Sequence, residues 1–156
     1  MLKITIVTVG KFKEQAFADL EQEYFKRLGP LSKTELVEIP EVPYFKENEA
    51  LSARKKEADK ILQYIEPSDF VIALDESGKV VTTTQFALKL SSHQATGQKI
   101  VFVIGSSTGL DEKIKKRANW LFSLSPLTFT HNFARVILTE QIYRALTILS
   151  GKIYHK

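Results

Sequence analysis

At 156 residues, with 44% hydrophobic and 26% charged residues, the chain has the composition of a globular domain long enough to bury a proper core. It contains no cysteine, which excludes disulfide frameworks, thiolate nucleophiles and cysteine-based zinc sites. The formal net charge of +4 suits a polyanionic partner such as nucleic acid, and suits a metabolic enzyme equally well.

Residues 2–9 are rich in β-branched side chains and alternate in polarity, which predicts a strand ending at Gly10 and argues against a cleavable leader. Residues 14–28 predict a helix with Ala16, Phe17, Leu20, Tyr24 and Leu28 on its inner face, stopped by Gly29-Pro30. A second strand is expected over 35–39, ahead of Pro40 and Pro43. Residues 47–65 read as a charged amphipathic helix that turns Leu51, Ala58, Ile61, Leu62 and Ile65 inward. The wholly apolar stretch 70–74 predicts a third strand, closed by Asp75-Glu76-Ser77-Gly78. Thr83 or Thr84 is placed to cap a helix carrying Phe86, Leu88 and Leu90. Residues 100–104 predict a buried fourth strand, followed by the glycine-bounded loop 105–110 and a short helix. Trp120-Leu121-Phe122 is the candidate fifth strand.

The last helix, 131–149, is apolar nearly all round, so it is expected to be buried on more than one side, with a second copy of the chain as a candidate cover. Two polar stripes interrupt it. One holds Glu140, Arg144 and Thr147, with Glu140 and Arg144 spaced as an i,i+4 pair, and the other holds His131, Arg135 and Thr139. Arg135 and Arg144 each fit either an ion pair or a ligand contact.

Strands alternating with helices predict a single α/β domain over 1–156, its mostly parallel sheet covered by helices on both faces. No apolar run approaches the roughly 20 residues of a bilayer span, and the cytoplasm is the expected location. In such sheets ligands bind beyond the carboxyl ends of the strands. Those ends are Leu74-Asp75, Ile104-Gly105 and Phe122 to Ser125, and their loops are expected to converge on one cavity.

The turn 105–109 lacks both the dinucleotide fingerprint and the lysine-hydroxyl pair of a P-loop. It reads either as a tight strand-to-helix turn, with Asp111 as an N-terminal helix charge, or as a backbone cradle for an adenosine or carboxylate group. Segment 124–129 is too apolar for a solvated loop and too turn-rich for a strand, so it is expected to be buried. His93, His131 and His155 have no metal-site spacing, and no nucleophile elbow is present. His155 would ordinarily fray with the terminus, but Ile153 and Tyr154 suit a docked tail.

Phe70-Val71-Ile72-Ala73-Leu74-Asp75 with Gly78-Lys79, Phe102-Val103-Ile104-Gly105, Gly109-Leu110, Leu124-Ser125, Leu127-Thr128, His131, Ala134-Arg135-Val136, Glu140-Gln141, Tyr143-Arg144-Ala145 and Tyr154-His155-Lys156 together form one pattern. It resembles the RlmH family, bacterial SPOUT-class methyltransferases of large-subunit ribosomal RNA that act on N3 of a pseudouridine. The likeness runs the whole length and is densest from Leu74 onward.

The resemblance implies a SPOUT-type domain with a C-terminal trefoil knot, which general topology rules disfavour, and a homodimer. It implies S-adenosylmethionine as cofactor, without metal, contacted by Leu74, Gly105, Gly109, Leu124, Ser125, Pro126, Leu127, Thr128 and Phe129. His131, Arg135, Arg144, Tyr154, His155 and Lys156 look like the family's catalytic, substrate-side residues, with one subunit's tail over the other's pocket. Ribosomal RNA or the ribosome is the implied partner. Ser106 stands where a second glycine is common, Thr130 where proline often precedes the histidine, and Ile153 where the tail often has proline. Two other readings stay open on the residues alone: a nucleotide-binding α/β enzyme of another reaction class, and a noncatalytic ribosome-associated factor.

Overall fold

The computed structural model describes residues 1–152. Ten elements follow one another: β1 (Leu2–Val9), α1 (Gln15–Leu28), β2 (Ser32–Ile39), α2 (Ala50–Leu62), β3 (Phe70–Lys79), α3 (Thr83–Thr96), β4 (Ile100–Ile104), α4 (Glu112–Arg117), β5 (Trp120–Phe122) and α5 (His131–Leu149). A single 3-10 turn, Glu47–Glu49, precedes α2. The strands form one sheet in the order β2-β1-β4-β3-β5, and every pairing is parallel.

A parallel sheet must be covered on both faces, and its central strands are accordingly apolar almost without interruption. All five residues of β4 are buried, as are seven of the eight in β1. One face packs Ile4, Ile6, Ile72, Ile100 and Phe102 against Leu28 of α1, Phe86 and Leu90 of α3, and Leu138, Ile142 and Ala145 of α5. The other packs Val7, Val71, Ala73, Val101 and Val103 against Ala58 and Ile61 of α2 and Ile114 of α4. The expected α/β architecture is therefore present, with helices on both faces. Within the chain α5 lies against both α1 and α3, while its Phe133 stays 53% exposed.

Local chemistry sets the helix ends. Thr82, one residue before the expected caps, opens α3: its hydroxyl accepts from Gln85 N and the Gln85 side chain accepts from Thr82 N. Gly97 closes α3 in the left-handed conformation, at φ 69°. Asp111 caps α4 through Lys113 N, and Thr130 caps α5 through Phe133 N.

Three expectations need correction. In α1 the inward position goes to Glu21, 5% exposed, while Leu20 is 51% exposed. In α2 Leu51 faces out and Glu57 is buried, and the helix stops at Leu62, short of residue 65. Strand β3 does not end at Asp75. Leu74 and Lys79 both align with Phe122, so 75–78 bulge out of register and the chain rejoins the sheet at Lys79, whose carbonyl accepts from Ser123 N.

Gly78 makes that return possible. A Cβ there would lie 2.7 Å from the Leu121 carbonyl carbon and from Phe122 N and C. These are backbone atoms of a paired strand and cannot step aside. Gly78→Ala is therefore expected to destabilise the protein by about 3 kcal/mol, read as a lower urea midpoint.

Candidate active site

Strand order places Gly105 after β4, Leu74 at the bulge of β3 and Phe122 at the end of β5 side by side. The next segment, 123–130, starts on β5 at the sheet edge and ends beside β1. Asn132 Nδ2 donates to Glu14 Oε2 at 3.4 Å, the Phe133 ring meets Phe17 edge-on at 5.0 Å, and Arg135 Nη1 reaches the Gly10 carbonyl at 3.5 Å. From β5 to β1 is three strand spacings, about 14 Å. Segment 123–130 therefore has to cross the mouths of β3 and β4. Topology brings the three predicted loops to one rim.

Each loop is shaped by its own residues. After β3, Asp75 pairs with Lys115 Nζ at 2.8 Å and accepts from Ser77. Burial alone would raise its carboxyl, but the hydrogen bonds from Lys115 and Ser77 hold it below the ordinary range. After β4, the chain turns back on itself: Gly109 N donates to Ser106 O at 2.9 Å, and Gly109 takes φ 83°. A Cβ on Gly105 would lie 2.8 Å from the carbonyl carbon and oxygen of Gly109, so only glycine lets the two sides of the turn close. Within 123–130, Ser123 Oγ donates to Ser125 O and Leu127 N donates to Ser125 Oγ, each at 2.9 Å.

Burial of this last segment is not what the sequence suggested. Leu124 and Ser125 are half-buried, but 126–130 are exposed, with Leu127 at 74%. The serine hydroxyls satisfy the turn from within, so its apolar side chains are not needed to dock it. Two open cavities, of about 360 and 560 Å³, lie elsewhere. The first is lined by Lys11, Phe12, Glu21, Glu38 and Arg135 among others, and the second sits at the opposite end of the strands, around Lys3, Asp69 and Lys99. Neither is lined by Leu74, Gly105 or Leu127, so the expected single cavity between the three loops is not among them.

The predicted substrate-side residues divide. His131 is half-buried in the first turn of α5, next to the rim. Arg135 is 4% exposed, grips Glu21 with two nitrogens, donates to Glu38 Oε2 at 2.9 Å and lies 4.0 Å from the Phe12 ring centroid. Burial works against its charge, but Glu21 and Glu38 outweigh that and hold the guanidinium above its ordinary value. Arg144 is half-buried and pairs with Glu140 along the helix. Tyr154, His155 and Lys156 lie outside the described residues. Among the described residues no three His, Asp or Glu side chains are grouped to hold a metal ion.

Sequence reasoning passed over Glu57. It is 3% exposed; its Oε1 accepts from Val42 N at 3.0 Å and its Oε2 from Ser106 Oγ at 3.2 Å. The spacing Ala53, Glu57, Ile61 was the available signal, since i,i+4,i+8 puts the glutamate on the buried stripe. Desolvation raises its carboxyl, with Glu41 nearby adding to the effect and Lys60 and the two hydrogen bonds opposing it. The folded state then holds this proton to higher pH than the unfolded chain does. Its contribution to stability is full below the ordinary glutamate range and is lost as pH rises through the folded value. Glu57→Gln should remove that part of the pH dependence. Urea denaturation of both proteins between about pH 4 and about pH 8 checks it, the wild type losing more stability on going up.

Comparison with known proteins agrees with this architecture. The family described as "Predicted SPOUT methyltransferase" matches residues 2–155, and the chain belongs to that family. Its relatives include ribosomal RNA large subunit methyltransferase H of Caldicellulosiruptor saccharolyticus, 43% identical over 153 residues, spanning 98% of this chain and 99% of that protein. Among solved structures, a probable methylase family protein from Haemophilus influenzae Rd KW20 superposes with TM-score 0.62 at 16% identity, over all of this chain and 72% of that one. A probable methyltransferase from Bordetella pertussis Tohama I gives 0.59 at 14% identity, over 93% of this chain and 96% of that one. At such identities the two structures speak for the fold alone.

Proposed function

We propose that the chain methylates large-subunit ribosomal RNA at N3 of a pseudouridine, with S-adenosylmethionine as donor. The observation that carries this reading is the meeting of three loops at the rim of β4, β3 and β5 in a chain 43% identical to a large-subunit ribosomal RNA methyltransferase. The Gly105 turn fits the donor: without a Cβ its backbone closes tightly, as a close main-chain approach to a small ligand requires. Leu74, Gly105, Gly109 and segment 124–129 would hold it. When bound, the sulfonium supplies an already activated methyl group.

The work left to the protein is positioning, because an in-line transfer needs acceptor and methyl carbon about 3–3.5 Å apart. The acceptor nitrogen also carries a proton. His131 or His155 is placed in sequence to accept it, and Arg144 or Lys156 to stabilise the resulting anion. Arg135, held by two carboxylates, supports the start of α5 and through it the end of segment 123–130. We further read the chain as one knotted domain working in the cytoplasm. No helix among the described residues is long and apolar enough to cross a membrane. A homodimer would cover Leu127, Phe133 and Leu20, at 74%, 53% and 51% exposure, and bring one tail over the other rim.

Tritium transfer from labelled S-adenosylmethionine to ribosomes lacking the modification tests the reading; no incorporation at the pseudouridine overturns it. Tyr154→Ala with His155→Ala should cut turnover by about a hundredfold or more and leave S-adenosylhomocysteine affinity by calorimetry nearly unchanged.

A further inference from the structure

Glu57 is out of place as a structural residue. Its carboxylate is almost wholly removed from water, yet among the described residues it forms no ion pair and is held by two hydrogen bonds. The other deeply buried glutamate, Glu21, is gripped by an arginine. Burial without a counter-charge works against folding, and a glutamine or an apolar residue would serve the core better. Groups kept against stability concentrate where function needs them.

Its partners say what it holds. Val42 belongs to the β2–α2 connection and Ser106 to the turn after β4, so one side chain ties two rim segments together. A carboxylate can only accept, so Ser106 must donate its hydroxyl hydrogen to Glu57. That leaves the serine oxygen to accept from Thr108, whose Oγ1 is 2.9 Å away and whose N is 3.4 Å away. The Thr108 carbonyl in turn accepts from Arg54 Nη1 at 3.1 Å. The two α2 side chains Glu57 and Arg54 thus fix both the shape and the hydrogen-bond direction of the turn 105–109. Serine at 106 makes the link, because glycine there would leave Glu57 bonded to Val42 alone and untie it from the turn.

We propose that Glu57, acting through Ser106, is a positioning residue that keeps the Gly105–Gly109 turn in the form that receives the methyl donor. This rests on the reading of that turn as part of the donor site. A glutamine at 57 keeps an acceptor for Val42 but presents an amide donor to Ser106 and reverses the chain of hydrogen bonds. Ser106→Ala removes the chain altogether.

The test is calorimetric binding of S-adenosylhomocysteine to the full-length wild type, Glu57→Gln, Ser106→Ala and the double variant, with KM and kcat from the tritium assay. Each single variant should lose about five- to tenfold in affinity, with the loss falling on KM for the donor rather than on kcat. The double variant should lose no more than either single one, because both break the same link. Wild type that binds while both single variants bind equally well, or losses that add in the double variant, overturn the role of Glu57 and leave the donor site standing. Wild type that fails to bind overturns the donor site and this role with it.

Discussion

Replacing Arg135 with alanine is expected to cost about 3–5 kcal/mol of folding stability, the largest loss of any single side chain on the α1–α5 face. The guanidinium is 4% exposed and its principal partner Glu21 is 5% exposed, so truncation strands one buried carboxylate and half-strands Glu38. The penalty comes from the carboxylates left behind and not from the net value of the pair. Glu21→Ala should cost a comparable amount by leaving the guanidinium with Glu38 as its one carboxylate partner. Arg135→Met combined with Glu21→Leu should recover most of the loss, because apolar groups of similar volume then fill the space without charge. Denaturant unfolding of the four proteins decides it; a loss under about 1 kcal/mol for Arg135→Ala would mean the cluster is hydrated.

Gly105→Ala is expected to lower S-adenosylhomocysteine affinity by more than about a hundredfold, while a neighbouring glycine tolerates the same change far better. The added Cβ would meet the Gly109 carbonyl group at 2.8 Å, and since both are main chain the turn has to open. Gly109→Ala is the control. Its Cβ would meet nothing within 4 Å, and its cost is the φ of 83°, about 1–2 kcal/mol. Both variants strain the turn, but only the first changes the distance between its sides. Equal affinities for Gly105→Ala and wild type would remove the donor from this turn.

The five strands and the helices between them were legible because their signals are local. The continuous apolar run of β4 announces a strand buried on both faces, and Gly10, Gly29 and Gly105 mark where elements stop. The rim loops could be named as a site by the same route, since strand ends follow from strand positions. Buried acids were not legible in this way. The inner faces expected for α1 and α2 include neither Glu21 nor Glu57, because charged residues on amphipathic helices are usually solvated and a helical wheel leaves the rotation of α1 uncertain by one position. Contacts distant in sequence resolved it: Arg135 lies 114 residues from Glu21 and Ser106 lies 49 from Glu57.

The amino-acid order by itself determined the alternation of strands and helices, the residues at each strand end and the family pattern, because periodicity and turn chemistry act over a few residues. Only the tertiary structure decided that β4, β3 and β5 are neighbours, that β3 continues past Asp75, that Arg135 closes on two carboxylates and that 126–130 stand in solvent. Those outcomes depend on which distant segments pack together. Desolvation and hydrogen-bond pairing are settled between elements, where no local pattern records them.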